Sequence, residues 1–170
     1  RELKEAGITK VVMMTGDSER TAAAIAKRVG VDEYYSEVLP EDKASFVEKE
    51  KELGHKVIMI GDGINDSLAL SSASVGIAIS DGAAIAREIA DVTISADNLH
   101  EIVTLKRLST ALMKRIHNNY RTIIGINGGL IALGVTGIIM PTTSALLHNM
   151  STLTISLRSM RNLLPKEEEA

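Results

Sequence analysis

Over the first 97 residues, short apolar runs alternate with longer stretches of mixed polarity. Lys10 to Met14 reads as a strand that runs into a turn at Thr15-Gly16-Asp17. Ser18 is placed to cap a helix through Val29, with Gly30 at its end. Glu33 to Val38 holds a short strand, and Pro40 starts a helix that Gly54 stops. Lys56 to Ile60 is a buried strand, followed by Gly61-Asp62-Gly63 and a short helix from Asp66. Ser74 to Ile79 and Asp91 to Ile94 are two more strands, with Ala83 to Ala90 helical between them. Such alternation predicts an α/β domain with a parallel, Rossmann-like sheet covered on both faces.

After residue 97 the pattern changes. Leu99, Ile102, Val103, Leu108, Leu112 and Ile116 fall at helical spacing, so Asn98 to His117 reads as one amphipathic helix. From Thr122 to Leu157 there are 36 residues without Asp, Glu, Lys or Arg. Half of that run makes a helix of about 27 Å, against a hydrocarbon core of about 30 Å. Two membrane spans fit, with the turn at Met140-Pro141-Thr142-Thr143, where Pro lacks a donor. Lys106, Arg107, Lys114, Arg115 and Arg121 precede the run, and Arg158, Arg161 and Lys166 follow it. Basic flanks put both ends on the cytoplasmic side. The alternative is a buried helical hairpin in a soluble protein. The chain then divides into an α/β part (1–97), a stalk helix (98–121), two transmembrane helices (122–161) and a cytoplasmic tail (162–170), whose Glu167 to Glu169 reads as a frayed end.

Composition narrows this further. One Phe and no Trp leave the core to Ala, Val, Ile, Leu and Met. A net charge of −3 gives no sign of nucleic-acid binding, and the lack of Cys removes disulfides and thiolate ligands from this stretch. The sequence opens at Arg1 in mid-pattern, which suggests a fragment.

Three features fall where open parallel sheets bind ligands, beyond the carboxyl ends of strands. They are Thr15-Gly16-Asp17, Lys43 within Pro40-Glu41-Asp42-Lys43, and Gly61-Asp62-Gly63-Ile64-Asn65-Asp66. A hydroxyl, an ammonium and paired carboxylates suit phosphoryl transfer, with a carboxylate for Mg²⁺. Taken singly, the first reads equally as a turn with a helix cap, and the second as a solvated lysine. The third is the specific one.

In this order the motifs resemble the haloacid-dehalogenase-type phosphotransferase fold. The continuation through Ser67-Leu68-Ala69-Leu70 is similar to P-type ATPases that move transition metals, although Leu68 stands where Pro is common. The resemblance runs through the stalk and both spans. It implies that Asp62 ligates Mg²⁺, that Asn65 and Asp66 orient that carboxylate and the phosphate surroundings, and that Thr15, with Gly16 and Asp17 in its loop, binds phosphoryl oxygens. Lys43 then neutralises an aspartyl-phosphate. The nucleophile's Asp-Lys-Thr-Gly-Thr motif is absent here, as is the nucleotide-binding domain that would bind ATP, so the fragment alone is expected to be inactive. The partners implied are membrane lipid, the pump's other transmembrane helices and that nucleotide-binding domain. The implied location is a cell membrane, with the phosphorylation domain in the cytoplasm. A soluble phosphatase of the same fold shares the three motifs and remains the rival reading.

Polar groups inside a bilayer usually face the helix bundle. Ser144, His148, Ser151, Thr152 and Ser159 share one face of the second span, and Asn127 lies in the first. Gly125 and Gly129 make a small-x-x-x-small pair for close helix contact. Imidazole is a common transition-metal ligand, so His148, with Ser151 and Asn127, is the candidate site for a transported ion. The hydroxyls and the amide serve interhelical hydrogen bonding equally well. Copper(I) pumps of the resembled family typically carry Tyr-Asn and Met-x-x-Ser-Ser here. Ile126-Asn127 and His148-Asn149-Met150-Ser151-Thr152 depart from that and point to a divalent ion of the zinc, cadmium, cobalt, iron or manganese class, with copper(I) as the alternative.

Overall fold

The computed structural model describes residues 1–61, 64–79, 88–95, 98 and 100–163. Asp62 and Gly63, most of the expected helix at Ala83 to Ala90, Leu99 and the acidic tail lie outside the described residues. The chain divides into two compact units, Arg1–Thr104 and Leu105–Ala170.

The first unit starts with a short helix, α1 (Glu2–Glu5), that the sequence pattern did not suggest. Strands β1 (Val12–Met14), β2 (Glu33–Tyr35), β3 (Ile58–Gly61), β4 (Val75–Ile79) and β5 (Val92–Ile94) alternate with helices α2 (Glu19–Val29), α3 (Pro40–Glu52) and α4 (Ser67–Ser72). All pairings are parallel, as expected. Among the described residues they form two ladders rather than one: β1 with β2, and β3–β4–β5. Hydrogen bonding between strands this short covers only three or four residues each.

The predicted stops hold for physical reasons. Gly30 ends α2 at φ +76°, a left-handed conformation that suits glycine. Ser18 is the N-cap residue of α2, but its hydroxyl pairs with that of Thr21 (3.2 Å) and not with a backbone N–H. Pro40 is the first residue of α3, where its missing donor costs nothing.

The core uses small and branched aliphatic side chains. Ala22 and Ala26 of α2, Val47 of α3, Ala69 and Leu70 of α4, and Ile77 and Ala78 of β4 are all buried. Helix α4 packs closely on β4. A Cβ on Gly76 would lie 2.7 Å from the Leu70 carbonyl oxygen, and that neighbour is backbone that cannot swing aside. Gly76→Ala is therefore expected to destabilise the fold by about 1–3 kcal/mol, the usual cost of overpacking. A fall in the urea midpoint of unfolding would register it, and an unchanged midpoint would contradict the packing.

The second unit is built around two helices. Helix α5 runs unbroken from His100 to Val135, longer than the stalk predicted, and α6 spans Pro141–Ser159. The turn between them falls at residues 136–140, with Gly137 at φ +72°, so the expected turn at Met140 to Thr143 is displaced toward the N-terminus. The reason is again Pro: Pro141 takes the first helical position of α6 instead of sitting in the turn. Ile102 and Val103 are buried, but Leu108, Leu112 and Ile116 of the same stripe are exposed. Gly125 and Gly129 do not serve close packing here, because a Cβ on either would meet nothing within 4 Å. Among the described residues, no helix is long and apolar enough to cross a membrane by mean hydropathy. Asn127 and Thr136 in the charge-free run, with Thr142, Thr143, Ser144, His148 and Asn149 after the turn, dilute its apolar character.

Candidate functional site

The strand β1 delivers Thr15, Gly16 and Asp17 as a tight loop before α2. The Thr15 hydroxyl donates to Asp17 Oδ2 at 2.9 Å, and the Asp17 amide donates back to Thr15 Oγ1 at 3.1 Å. Backbone bonds tie this loop to the segment after β2. The Thr15 amide donates to the Tyr35 carbonyl (3.0 Å), the Glu37 amide to the Asp17 carbonyl (2.9 Å) and the Val38 amide to the Thr15 carbonyl (3.0 Å). Glu37 takes φ +54° to make its bond, an uncommon conformation for a residue with a Cβ. The same segment leads directly into α3, whose start is fixed by a bond from the Leu39 amide to Asp42 Oδ2. The Thr15 loop and the first turn of α3, which carries Lys43, are thus held by one short connector.

Glu19, in the first turn of α2, braces this arrangement from the side. Its carboxylate accepts from the Ser36 hydroxyl and from the Tyr34 hydroxyl (2.8 Å). Those two donors, Ser36 first, hold the Glu19 carboxyl below its ordinary range. The Tyr34 hydroxyl is pushed up in turn, chiefly by its bond to Glu19. The sequence pattern did not single out Glu19 or Glu37. A Glu after a cap residue reads as an ordinary first-turn acid, and only the pairing of β1 with β2 brings Tyr34 and Ser36 within its reach.

Lys43 and Asp66 meet. Lys43 Nζ donates to Asp66 Oδ1 at 2.7 Å, and both side chains are nearly removed from solvent. Among the described residues of this unit, Asp66 is the buried charged one, at 7% exposure. It closes a 3₁₀ turn (Ile64–Asp66) that follows β3. Gly61 makes room for it: a Cβ there would stand 2.6 Å from Asp66 Cβ and 2.9 Å from Oδ2. The glycine at the strand end is therefore required by the carboxylate five residues on. Asn65 lies in the same turn but is exposed. Asp62 lies outside the described residues.

The donor set fits Mg²⁺. Among the described residues no three His, Cys, Asp or Glu cluster as metal ligands. Mg²⁺ needs no such cage, since it is usually held by one or two carboxylates with water and substrate phosphates. The Asp66 carboxylate is a hard oxygen group with one oxygen committed to Lys43.

In the second unit, His148 Nδ1 lies 2.8 Å from Asn127 Oδ1, so two of the three candidate ion-site residues come together. The third does not offer its proton: Ser151 Oγ donates to the His148 carbonyl (2.8 Å), and Thr152 Oγ1 does the same (3.1 Å). A groove at this place is lined by Asn127, Leu130, Gly134, Pro141, Ser144 and His148, among others.

A family model described as haloacid dehalogenase-like hydrolase matches residues 1–74. A zinc-exporting P-type ATPase of Mycobacterium marinum is 37% identical over 161 residues, which is 94% of this chain and 22% of that protein. A copper-exporting P-type ATPase of Bacillus subtilis is 39% identical over 159 residues, again 94% of this chain and 20% of that protein. A crystal structure of a zinc-transporting PIB-type ATPase in the E2P state matches with a TM-score of 0.85 and 33% identity, covering 96% of this chain and 26% of the other. The chain thus spans about a fifth of the length of the curated relatives it matches.

Proposed function

We propose, from its similarity to metal-exporting P-type ATPases over 94% of its length, that this chain is part of a pump of that family that exports a divalent transition metal through an aspartyl-phosphate intermediate. Residues 1–97 are the C-terminal part of its phosphorylation domain, 98–121 the stalk, 122–161 two membrane helices and 162–170 a cytoplasmic tail. The phosphoryl group is carried by an aspartate of the Asp-Lys-Thr-Gly-Thr motif, which these residues lack.

The first unit receives the phosphoryl group. Thr15 turns its hydroxyl from Asp17 to a phosphoryl oxygen, and the Gly16 backbone leaves the approach open. Lys43, held in place by Asp66, neutralises the charge on the acyl phosphate. Asn65 offers an amide from an exposed turn. Asp62 would hold Mg²⁺, with Asp66 supporting it, and the ion would supply positive charge to the phosphoryl oxygens.

The observation that carries the transport half is the contact between the two helices at His148 Nδ1 and Asn127 Oδ1, 2.8 Å apart, in a run that also exposes Ile124, Ile131, Leu146, Met150, Leu153 and Leu157. Polar groups that meet one another between helices with bare apolar side chains suit an ion path with lipid outside. The 36-residue charge-free run is of the right length for two spans. His148 then takes the ion through Nε2, with Asn127 orienting the ring through Nδ1, and a borderline nitrogen donor suits a divalent metal better than copper(I). ATP is bound by the pump's nucleotide-binding domain. The test is formation of an acyl phosphate from ATP on the complete pump, with and without metal.

A further inference from the structure

Resting on that reading of the His148 site, we infer that Arg115 is a positioning residue that sets the register of α6 against α5. The last carbonyls of any helix have no partner within it. At the end of α6, Arg115 supplies one from the other helix. Its guanidinium donates to the Ser159 carbonyl and to the Asn162 carbonyl, both at 2.9 Å, and also to the Arg161 carbonyl. One turn along α5, Asn119 Nδ2 donates to Ser159 Oγ at 2.6 Å, and that hydroxyl donates on to the Ile155 carbonyl (2.7 Å). Arg115 and Asn119 are half-buried in this contact.

A guanidinium suits this place twice. Its planar fork reaches several carbonyls at once. Its charge also faces the negative end of the α6 dipole. Arg115 is thus a helix cap supplied in trans, where a flanking arginine would ordinarily be solvated.

The consequence is a fixed register. From Arg115 to Asn127 along α5 is 12 residues, and from His148 to Ser159 along α6 is 11. At about 1.5 Å per residue the two arms measure about 18 and about 17 Å. Clamping Ser159 to Arg115 therefore brings His148 level with Asn127, where the 2.8 Å contact is found. The turn at residues 136–140 closes the other end. A slip of α6 by one residue would turn His148 by about 100° away from Asn127.

The complete pump tests this through the metal concentration that half-maximally stimulates its ATPase, with phosphoenzyme formed from inorganic phosphate as a measure of folded enzyme. Arg115→Ala is expected to raise the half-stimulating concentration about tenfold, the low end of what loss of support for a ligating group costs, with phosphoenzyme at the unmutated level. Arg115→Lys, which keeps the charge without the fork, should give a smaller rise, and it carries the test if the alanine variant does not fold. An unchanged concentration in both variants, while His148→Ala raises it, overturns the role of Arg115 and leaves the site intact. No change even in His148→Ala overturns the site reading and this inference together. A fall in phosphoenzyme with no shift in concentration makes Arg115 a structural cap only and equally overturns it.

Discussion

Asp66→Asn is expected to reduce metal-dependent ATP turnover of the complete pump by at least about a hundredfold, the scale on which single preorganised electrostatic groups act in catalysis. The substitution keeps the shape of the side chain and removes its charge. Lys43 then keeps an acceptor but loses its counter-charge in a site largely removed from water. An ammonium left without compensation there either drifts toward solvent or binds the acyl phosphate in the wrong place. Breaking a buried pair by removing one charge also destabilises, by about 3–5 kcal/mol, so turnover must be normalised to folded enzyme. Near-normal turnover per folded molecule would remove Asp66 from the phosphoryl site.

His148→Ala is expected to lower metal-stimulated turnover by about ten- to a hundredfold, the range in which lost support of a metal site registers. Phosphorylation from inorganic phosphate should persist, because the Lys43–Asp66 site lies in the other unit. The structure sharpens the reason. The imidazole is oriented by Asn127 through Nδ1, which leaves Nε2 free to face an ion. The profile should be recorded across zinc, cobalt, iron, manganese and copper(I). Unchanged stimulation and unchanged ion preference would make the His148–Asn127 contact an interhelical hydrogen bond and nothing more.

The local signals in the sequence proved sufficient where the determinant is itself local. Gly30 needs a left-handed backbone, Pro40 fills a first helical position, and the apolar runs before Thr15 and Gly61 become parallel strands. Pro141 shows the limit of the same reasoning. A proline can sit in a turn or open a helix, and only the neighbouring Gly137 at positive φ decides that the turn comes earlier. The groups that hold the site together were less legible. Glu19 and Arg115 both look like solvated charges in sequence, and their partners lie 15 to 17 and 44 to 47 residues away. Periodicity carries no information about such pairs. The apolar stripe at helical spacing predicts α5 as a helix, and beyond Val103 its Leu108, Leu112 and Ile116 are exposed. An apolar face left bare by its own chain is what a lipid-facing or bundle-facing helix presents.

The most direct measurement of the central claim is acid-stable label from γ-phosphate-labelled ATP on the complete pump, compared with Asp66→Asn and His148→Ala. The account predicts label that requires a divalent transition metal, is released by hydroxylamine as an acyl phosphate, and falls in both variants. From inorganic phosphate, label should persist in His148→Ala and fall in Asp66→Asn. Label that forms equally without metal, or that neither substitution alters, would contradict the coupling of a phosphoryl site around Lys43 and Asp66 to an ion site at His148.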